Sequence, residues 1–166
     1  MIEILPATVA DLPALGRLGA ELVAIHHRFD AHRFIAPGPE TARGYGAFLA
    51  GELARTDAFV LVAHDAEGVA GYTYAALEGP DWMTLRGPAG VIYDLVVDPG
   101  RRGGGVGRRL FAEILDRLAA AGAPQIVLSA AAPNTVAQRL FSSFGFRPTL
   151  IEMARDASRP PGGGAR

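Results

Sequence analysis

Residues 96–110 read VVDPGRRGGGVGRRL. A β-branched apolar strand ends at Val97, a proline follows at Pro99, and an apolar stripe at helical spacing begins at Val106 and runs through Leu110, Ile114, Leu115 and Leu118. Glycines at a strand-to-helix junction let backbone N–H groups approach an anion, because no Cβ intervenes and positive φ is permitted. The helix N-terminus adds unpaired donors and partial positive charge. Arg101, Arg102, Arg108 and Arg109 crowd this end, although each cation there is disfavoured by about 0.3–1 kcal/mol. An anion is therefore expected at the turn. Two common phosphate motifs do not supply it. A Walker A loop needs Gly-Lys followed by Ser or Thr, and the chain has no lysine. The fingerprint G-x-G-x-x-G fails from Gly103, which reaches Arg108, and from Gly105, which reaches Leu110.

Upstream, Ile2 to Leu5 alternates as a short strand that Pro6 ends. Thr8 with Asp11 marks a helix start, and Leu12, Leu15, Leu18, Leu22, Ile25 and Phe29 recur at spacings of three and four. A second helix, interrupted by glycines, is expected from about Glu40 to Arg55. Ala58 to Asp65 and Val69 to Glu78 read as an antiparallel hairpin across AEG. The longer stretch GPDWMTLRGPAG leads into the strand Val91 to Val97, and its Trp82 and Met83 suit either an apolar lid or a plug at a core edge. Downstream, Gly122 suits a C-cap, and Gln125 to Ala130 reads as a buried strand. Pro133 suits the first turn of a helix to Phe144, and Phe146 to Met153 reads as a final strand. The order gives a mixed α/β domain in which only the second half has the βαβ rhythm of parallel pairing.

The 166 residues make one domain, residues 1–156, followed by a tail, 157–166, expected to be disordered. All 16 basic residues are arginine, and with 17 carboxylates the net charge is -1, which gives no support to a general nucleic-acid or anionic-membrane role. The absence of cysteine excludes disulfides, thiolate catalysis, Fe–S clusters and thiolate zinc sites. The start MIEILPATVADLPAL has no signal-peptide pattern and no apolar run approaches a membrane span, so a soluble, cytoplasmic protein is expected.

The glycine turn resembles that of the GNAT superfamily of acetyl-CoA-dependent N-acetyltransferases. The signature of Arg or Gln, two residues, Gly, one residue, then Gly or Ala is matched by Arg102, Gly105 and Gly107, preceded by Leu95, Val97 and Pro99 and followed by Leu110. A second motif, Asn-x-x-Ala-x-x-Leu-Tyr-x-x-x-Gly-Phe, is matched by Asn134, Ala137, Leu140, Gly145 and Phe146. The resemblance implies a mixed, mostly antiparallel central sheet flanked by helices, with acetyl-CoA as co-substrate. It also implies that the strand end Leu95, Val96 and Val97 holds the acetyl and pantetheine portion. Arg102, Gly103, Gly104, Gly105, Val106, Gly107 and Arg108 would cradle the pyrophosphate, and Asn134 would meet the pantetheine arm. An expected homodimer comes from the same resemblance.

Acetyl transfer from a thioester to an amine needs a neutral amine, a donor for the developing oxyanion and a proton for the leaving thiolate, but no covalent nucleophile. There is no Gly-x-Ser-x-Gly elbow. Phe141 stands where the family motif has Tyr, so it can pack against the cofactor but cannot give a proton. Tyr93, Tyr72, Tyr74, Ser129, Ser142 or water then serve as candidate acids. Asp94 interrupts an apolar strand, which suits a base, a counter-ion for an ammonium, or a carboxylate held by neighbouring hydrogen bonds. Asp94 and Tyr93 are the candidate catalytic residues. Asp30, Glu78 and Asp81 could also meet a cationic amine. His26, His27 and His32 do not share a helical face and are read as structural rather than metal-binding; His64, before a turn, is expected to be exposed. The expected function is acetyl transfer to a primary amine of a small molecule or a protein N-terminus. The alternatives are a non-catalytic acyl-CoA-binding or sensor domain, and a nucleotide-binding α/β protein.

Overall fold

The computed structural model describes residues 1–158 and gives the order β1 (Glu3–Pro6), α1 (Leu12–Phe29), α2 (Thr41–Leu53), β2 (Ala58–Asp65), β3 (Gly68–Glu78), β4 (Ala89–Val97), α3 (Val106–Ala120), β5 (Ile126–Leu128) and α4 (Thr135–Ser143). The strands lie side by side in chain order, antiparallel from β1 to β4, with β5 parallel to β4. A tight turn joins β2 to β3 and a longer loop joins β3 to β4, while α1 and α2 lie between β1 and β2 and the parallel pair β4 and β5 is joined by the α3 crossover.

Each face of the sheet follows from a period of two. Val60, Val62, Tyr72, Tyr74 and Val96 point to one face, where Leu15 and Leu18 of α1 and Leu49 of α2 cover them. Leu61, Ala63, Ala75 and Ile92 point to the other and pack on Val106, Leu110, Phe111, Ile114 and Leu118 of α3. The start of α1 is set where expected. Asp11 accepts hydrogen bonds from the backbone N–H and the hydroxyl of Thr8, both at 2.8 Å, around one turn of 3-10 helix. His64 is not simply exposed: its Nε2 lies 3.1 Å from the other Asp11 oxygen. Helices α1 and α2 approach closely because α1 offers glycine at the crossing. A Cβ on Gly16 would fall 2.3 Å from the carbonyl oxygen of Ala42, and one on Gly19 would fall 2.2 Å from the Tyr45 ring. Gly122, at φ +82°, ends α3 as expected, with Ala123 N–H reaching the Leu118 carbonyl at 3.1 Å.

The C-terminal part corrects two expectations. Strand β5 spans three residues rather than Gln125 to Ala130 and is half-buried, because it is a sheet edge with no strand beyond it. Residues 146–153 form no strand. A three-residue edge offers little ladder to pair with, and Pro148 lacks the N–H that a ladder needs. Phe146 packs instead on Phe111, at a ring-centroid distance of 5.5 Å, and Leu150, Ile151 and Met153 stand exposed. Arg33, in the connection after α1, pairs with Glu152 through two hydrogen bonds and anchors this segment. The expected disordered tail falls largely on residues 159–166, outside the described residues.

Candidate active site

The turn after β4 is built by its glycines. Asp98 accepts from Gly100 N–H at 2.8 Å and starts a single 3-10 turn, Pro99–Arg101. Gly103 at φ +84° and Gly105 at φ +79° then take left-handed conformations that a residue with a Cβ resists, and Gly105 caps α3. The first helical bond of α3 runs from Arg109 N–H to the Gly105 carbonyl at 3.1 Å. Among the described residues, no backbone carbonyl accepts from the N–H groups between Arg102 and Arg108. This is a run of donors without backbone partners at the positive end of a fifteen-residue helix.

The four arginines divide into two kinds, which narrows the expectation that all of them await an anion. Arg101 is committed to Asp65 at 3.0 Å and Glu67 at 2.8 Å, from the β2–β3 turn. Arg109 donates to the Ile2 carbonyl at 2.7 Å and ties α3 to the residue just before β1. Arg102 and Arg108 meet no carboxylate among the described residues: Arg102 Nε lies 3.2 Å from the Val97 carbonyl, and Arg108 lies over the Phe144 ring and donates to Ser143 Oγ. Among the described residues Arg102, Arg108 and Arg109 thus keep charges that no carboxylate neutralises, and Arg102 and Arg108 flank the run of N–H donors.

Beside the turn the sheet opens. The register of β4 with β5 runs only from Gly90 to Ile92, whereas β4 continues to Val97. The parting coincides with a bulge. Tyr74 pairs with Asp94 and Ala75 with Ile92, which leaves Tyr93 as the extra residue, and a bulge sharpens the local twist. Leu95 and Val97 lie along the parted edge with half-buried side chains. The side chains of Val96 and Val106 are in the core, so these two residues can offer only backbone groups to a ligand. Asn134 caps α4 with its side-chain oxygen, which accepts from Ala137 N–H at 3.2 Å, leaving its amide N–H donors uncommitted. Phe141 packs on Phe111, with ring centroids 5.0 Å apart, within a cluster that includes Phe144 and Phe146.

On the α1–α2 side of the bulge sits Asp94, only 6% exposed. The Tyr45 hydroxyl donates to its Oδ2 at 2.7 Å and the Tyr72 hydroxyl to the same oxygen at 2.9 Å. Thr73 donates to the Asp94 carbonyl at 2.7 Å and fixes the backbone there. Among the described residues Oδ1 receives no hydrogen bond, and it is not sealed from solvent. Burial pushes the Asp94 carboxyl above the usual aspartate range, against the pull of the two phenols and of His26. Burial and the neighbouring carboxylate push Tyr45 and Tyr72 upward, so both remain proton donors to it.

Tyr93 is 48% exposed, stacks on Tyr74 at 5.0 Å and donates to Glu78 at 3.1 Å. Burial, then Glu78, pushes its phenol up to about 12. Glu78 is also held by Arg55, which binds Glu52 and Asp57, while Tyr74 donates to Glu52 at 2.6 Å. Asp30 and Asp81 are used in local turns, bonding the N–H groups of His32 and Arg33 and of Met83. Of the four carboxylates expected to face an amine, Asp94 alone is buried. Trp82 and Met83 are 84% and 92% exposed at the tip of the turn closed by Asp81 and Arg86, so they do not plug the core edge. Tyr45, Glu52 and Arg55 are site residues that sequence reading did not single out. The available signal was Tyr45 as an aromatic set between two glycines of α2.

The model of the acetyltransferase (GNAT) family matches residues 25–146. A mycothiol acetyltransferase from Clavibacter michiganensis is 34% identical over 96 residues, 58% of this chain and 29% of that protein. One from Thermobispora bispora is 41% identical over 80 residues, 48% of this chain and 25% of that protein. The chain thus spans less than a third of the length of these curated relatives. Among solved structures, a mutant of the BH1408 protein from Bacillus halodurans superposes with a TM-score of 0.77 at 25% identity, over 93% of this chain and 98% of that one. A predicted acetyltransferase from Clostridium acetobutylicum, crystallised with acetyl-CoA, has the same fold, with a TM-score of 0.70 at 16% identity over 93% and 96% of the two chains. With its glycine turn, its parted sheet and a family match across most of the domain, the chain belongs to the acetyltransferase (GNAT) family, whose acetyl donor is acetyl-CoA.

Proposed function

We propose that this protein transfers the acetyl group of acetyl-CoA directly to a primary amine of a small molecule or peptide N-terminus. The observation that carries the reading is the run of backbone N–H groups from Arg102 to Arg108 without carbonyl partners, flanked by Arg102 and Arg108, which meet no carboxylate among the described residues. In this reading Arg102, Gly103, Gly104, Gly105, Val106, Gly107 and Arg108 bind the pyrophosphate. The parted edge at Leu95, Val96 and Val97 takes the pantetheine and acetyl portion, and the free amide of Asn134 meets the arm. Phe141 supports the arm's site from the core rather than touching the reacting atoms.

Asp94 is the group we assign to the acceptor. Two phenols fill one of its oxygens, and the other is left for a donor such as an ammonium. Tyr93 walls the same side. Its hydroxyl is engaged by Glu78 and its raised phenol is a weak acid, so the departing thiolate draws its proton from elsewhere. The likeness to mycothiol acetyltransferases supports a small-molecule acceptor over a peptide.

Calorimetric titration with acetyl-CoA, beside ATP and NAD, tests the reading. Acetyl-CoA should bind, the nucleotides should not compete, and Arg102→Ala and Arg108→Ala should each weaken binding. A panel of amines read by free-thiol release then follows, with no protein thiol to interfere. The position of Phe141 favours a second reading, a non-catalytic acyl-CoA-binding domain, and binding without turnover on any amine would select it.

A further inference from the structure

The acetyl-transfer reading leaves open what removes the proton from an acceptor that arrives as an ammonium. Asp94 can hold such a cation, but a second group is needed to accept its proton, and the last turn of α1 supplies one. His26 is half-buried there, with Nδ1 2.9 Å from the Leu22 carbonyl. A carbonyl only accepts, so Nδ1 carries the hydrogen, and in the neutral ring Nε2 holds the free lone pair. The ring cannot swing away readily. Phe29 meets it edge-on at 6.0 Å and Phe34 at 5.1 Å, one from the same helix and one from the chain that follows. His26 follows Gly19 by seven residues, on the face of α1 that meets the Tyr45 ring. Tyr45 donates to Asp94, so this face of α1 and the β4 bulge share one side of the sheet, where a charge on His26 acts on Asp94. His27 and His32 do not share this arrangement. His27 also sets Nδ1 against a carbonyl, that of Phe34 at 3.0 Å, but it does not act on Asp94, and His32 lies exposed in the turn after α1.

We propose that His26 is the general base of the reaction and that Asp94 positions the amine for it. The proposal rests on the acetyl-transfer reading and deepens it. Of the three hydrogens on the incoming ammonium, one passes to Nε2 of His26 and from there to solvent. The freed lone pair attacks the thioester carbonyl carbon, and the C–N bond forms while the C–S bond breaks. A second nitrogen hydrogen leaves with the thiolate, giving a thiol, and the third stays on the amide. Tyr45 and Tyr72 hold Asp94 in place throughout, because both donate to the oxygen that does not face the amine.

Two substitutions test the proposal. His26→Asn keeps an N–H near the Leu22 carbonyl but has no basic nitrogen, and His26→Ala opens a space for imidazole. His26→Asn should melt like the parent and bind acetyl-CoA with unchanged affinity. Its kcat should fall by about 100-fold, a typical contribution of a positioned base, with little change in the amine KM. Added imidazole should restore part of the turnover of His26→Ala, which a purely structural role would not allow. Should His26→Ala fail to fold, His26→Asn carries the test through kcat at unchanged acetyl-CoA affinity. Full turnover in His26→Asn, or a folded His26→Ala that imidazole leaves inactive, overturns the proposal while leaving acetyl transfer intact. Failure of the parent protein to bind acetyl-CoA overturns the reading beneath it instead.

Discussion

Asp94 carries two burdens that single substitutions can separate. Asp94→Ala leaves the hydroxyls of Tyr45 and Tyr72 without their acceptor, and because Tyr72 is fully buried the cost should be about 1–3 kcal/mol, read by urea denaturation. Asp94→Asn keeps an acceptor for both phenols and removes only the charge. It should fold normally and raise the KM for an amine about tenfold or more, the scale of one charge-assisted hydrogen bond. The sign of its pH dependence follows from burial. The native carboxyl titrates above its unfolded value of 3.8, so the stability it contributes is full below 3.8 and is lost as pH rises through the native value. The melting temperature of Asp94→Asn should therefore gain on that of the parent between acid and neutral pH, and a constant difference would refute the assignment. At the glycine turn, Gly105→Ala must force an alanine to φ +79°, costing about 1 kcal/mol and weakening acetyl-CoA binding. Gly104→Ala, with φ outside the positive range and only an ordinary contact of its Cβ with the Arg101 carbonyl oxygen at 3.8 Å, should melt within error of the parent.

Between elements, the site depends on how closely α1 approaches α2. A methyl group at Gly16 would meet backbone of α2, which cannot move aside as a side chain can, so Gly16→Ala should cost about 1–3 kcal/mol in a thermal melt. Gly19→Ala strikes the Tyr45 ring instead. It should draw the Tyr45 hydroxyl off Asp94, and turnover should suffer more than stability. These close contacts were not legible in the sequence. The three glycines of α2 read in the sequence as weakness in a helix, whereas the glycines that let the helices close are Gly16 and Gly19 of α1, because propensity counts the missing side chain and not the neighbouring helix that occupies its space. The β4 bulge was equally hidden. The run VIYDLVV reads as an unbroken strand, and only pairing with β3 shows that Tyr93 is the residue left over.

For the whole molecule, acetyl-CoA at about 100 times its dissociation constant should stabilise the protein by about 2.7 kcal/mol, visible as a rise in melting temperature that ATP and NAD do not produce. Arg108→Ala should abolish much of that rise. The segment after α4 should matter far less. Its residues 147–158 are exposed and its ion pair with Arg33 is at the surface, so Glu152→Ala should leave the melting temperature unchanged. A large loss there would mean that this segment packs in solution against something else.

Local information fixed the mixed α/β order, the hairpin of β2 and β3, the α3 stripe and the anion-seeking turn, since periodicity, β-branching and glycine at a strand-to-helix junction act over a few residues. The two motif matches at Arg102 and Asn134 carried the family from the chain alone. Tertiary structure decided which arginine is neutralised and which is tied down, because Arg101 meets Asp65 and Glu67 at the β2–β3 turn and Arg109 meets the Ile2 carbonyl just before β1, all distant in sequence. It also decided that residues 146–153 form no strand despite their apolar pattern, for a strand exists only where an edge can pair with it. Asp94 shows both limits at once. Its position in an apolar strand marked it as unusual, but its two phenol partners come from α2 and β3, and only the fold brings them to one oxygen.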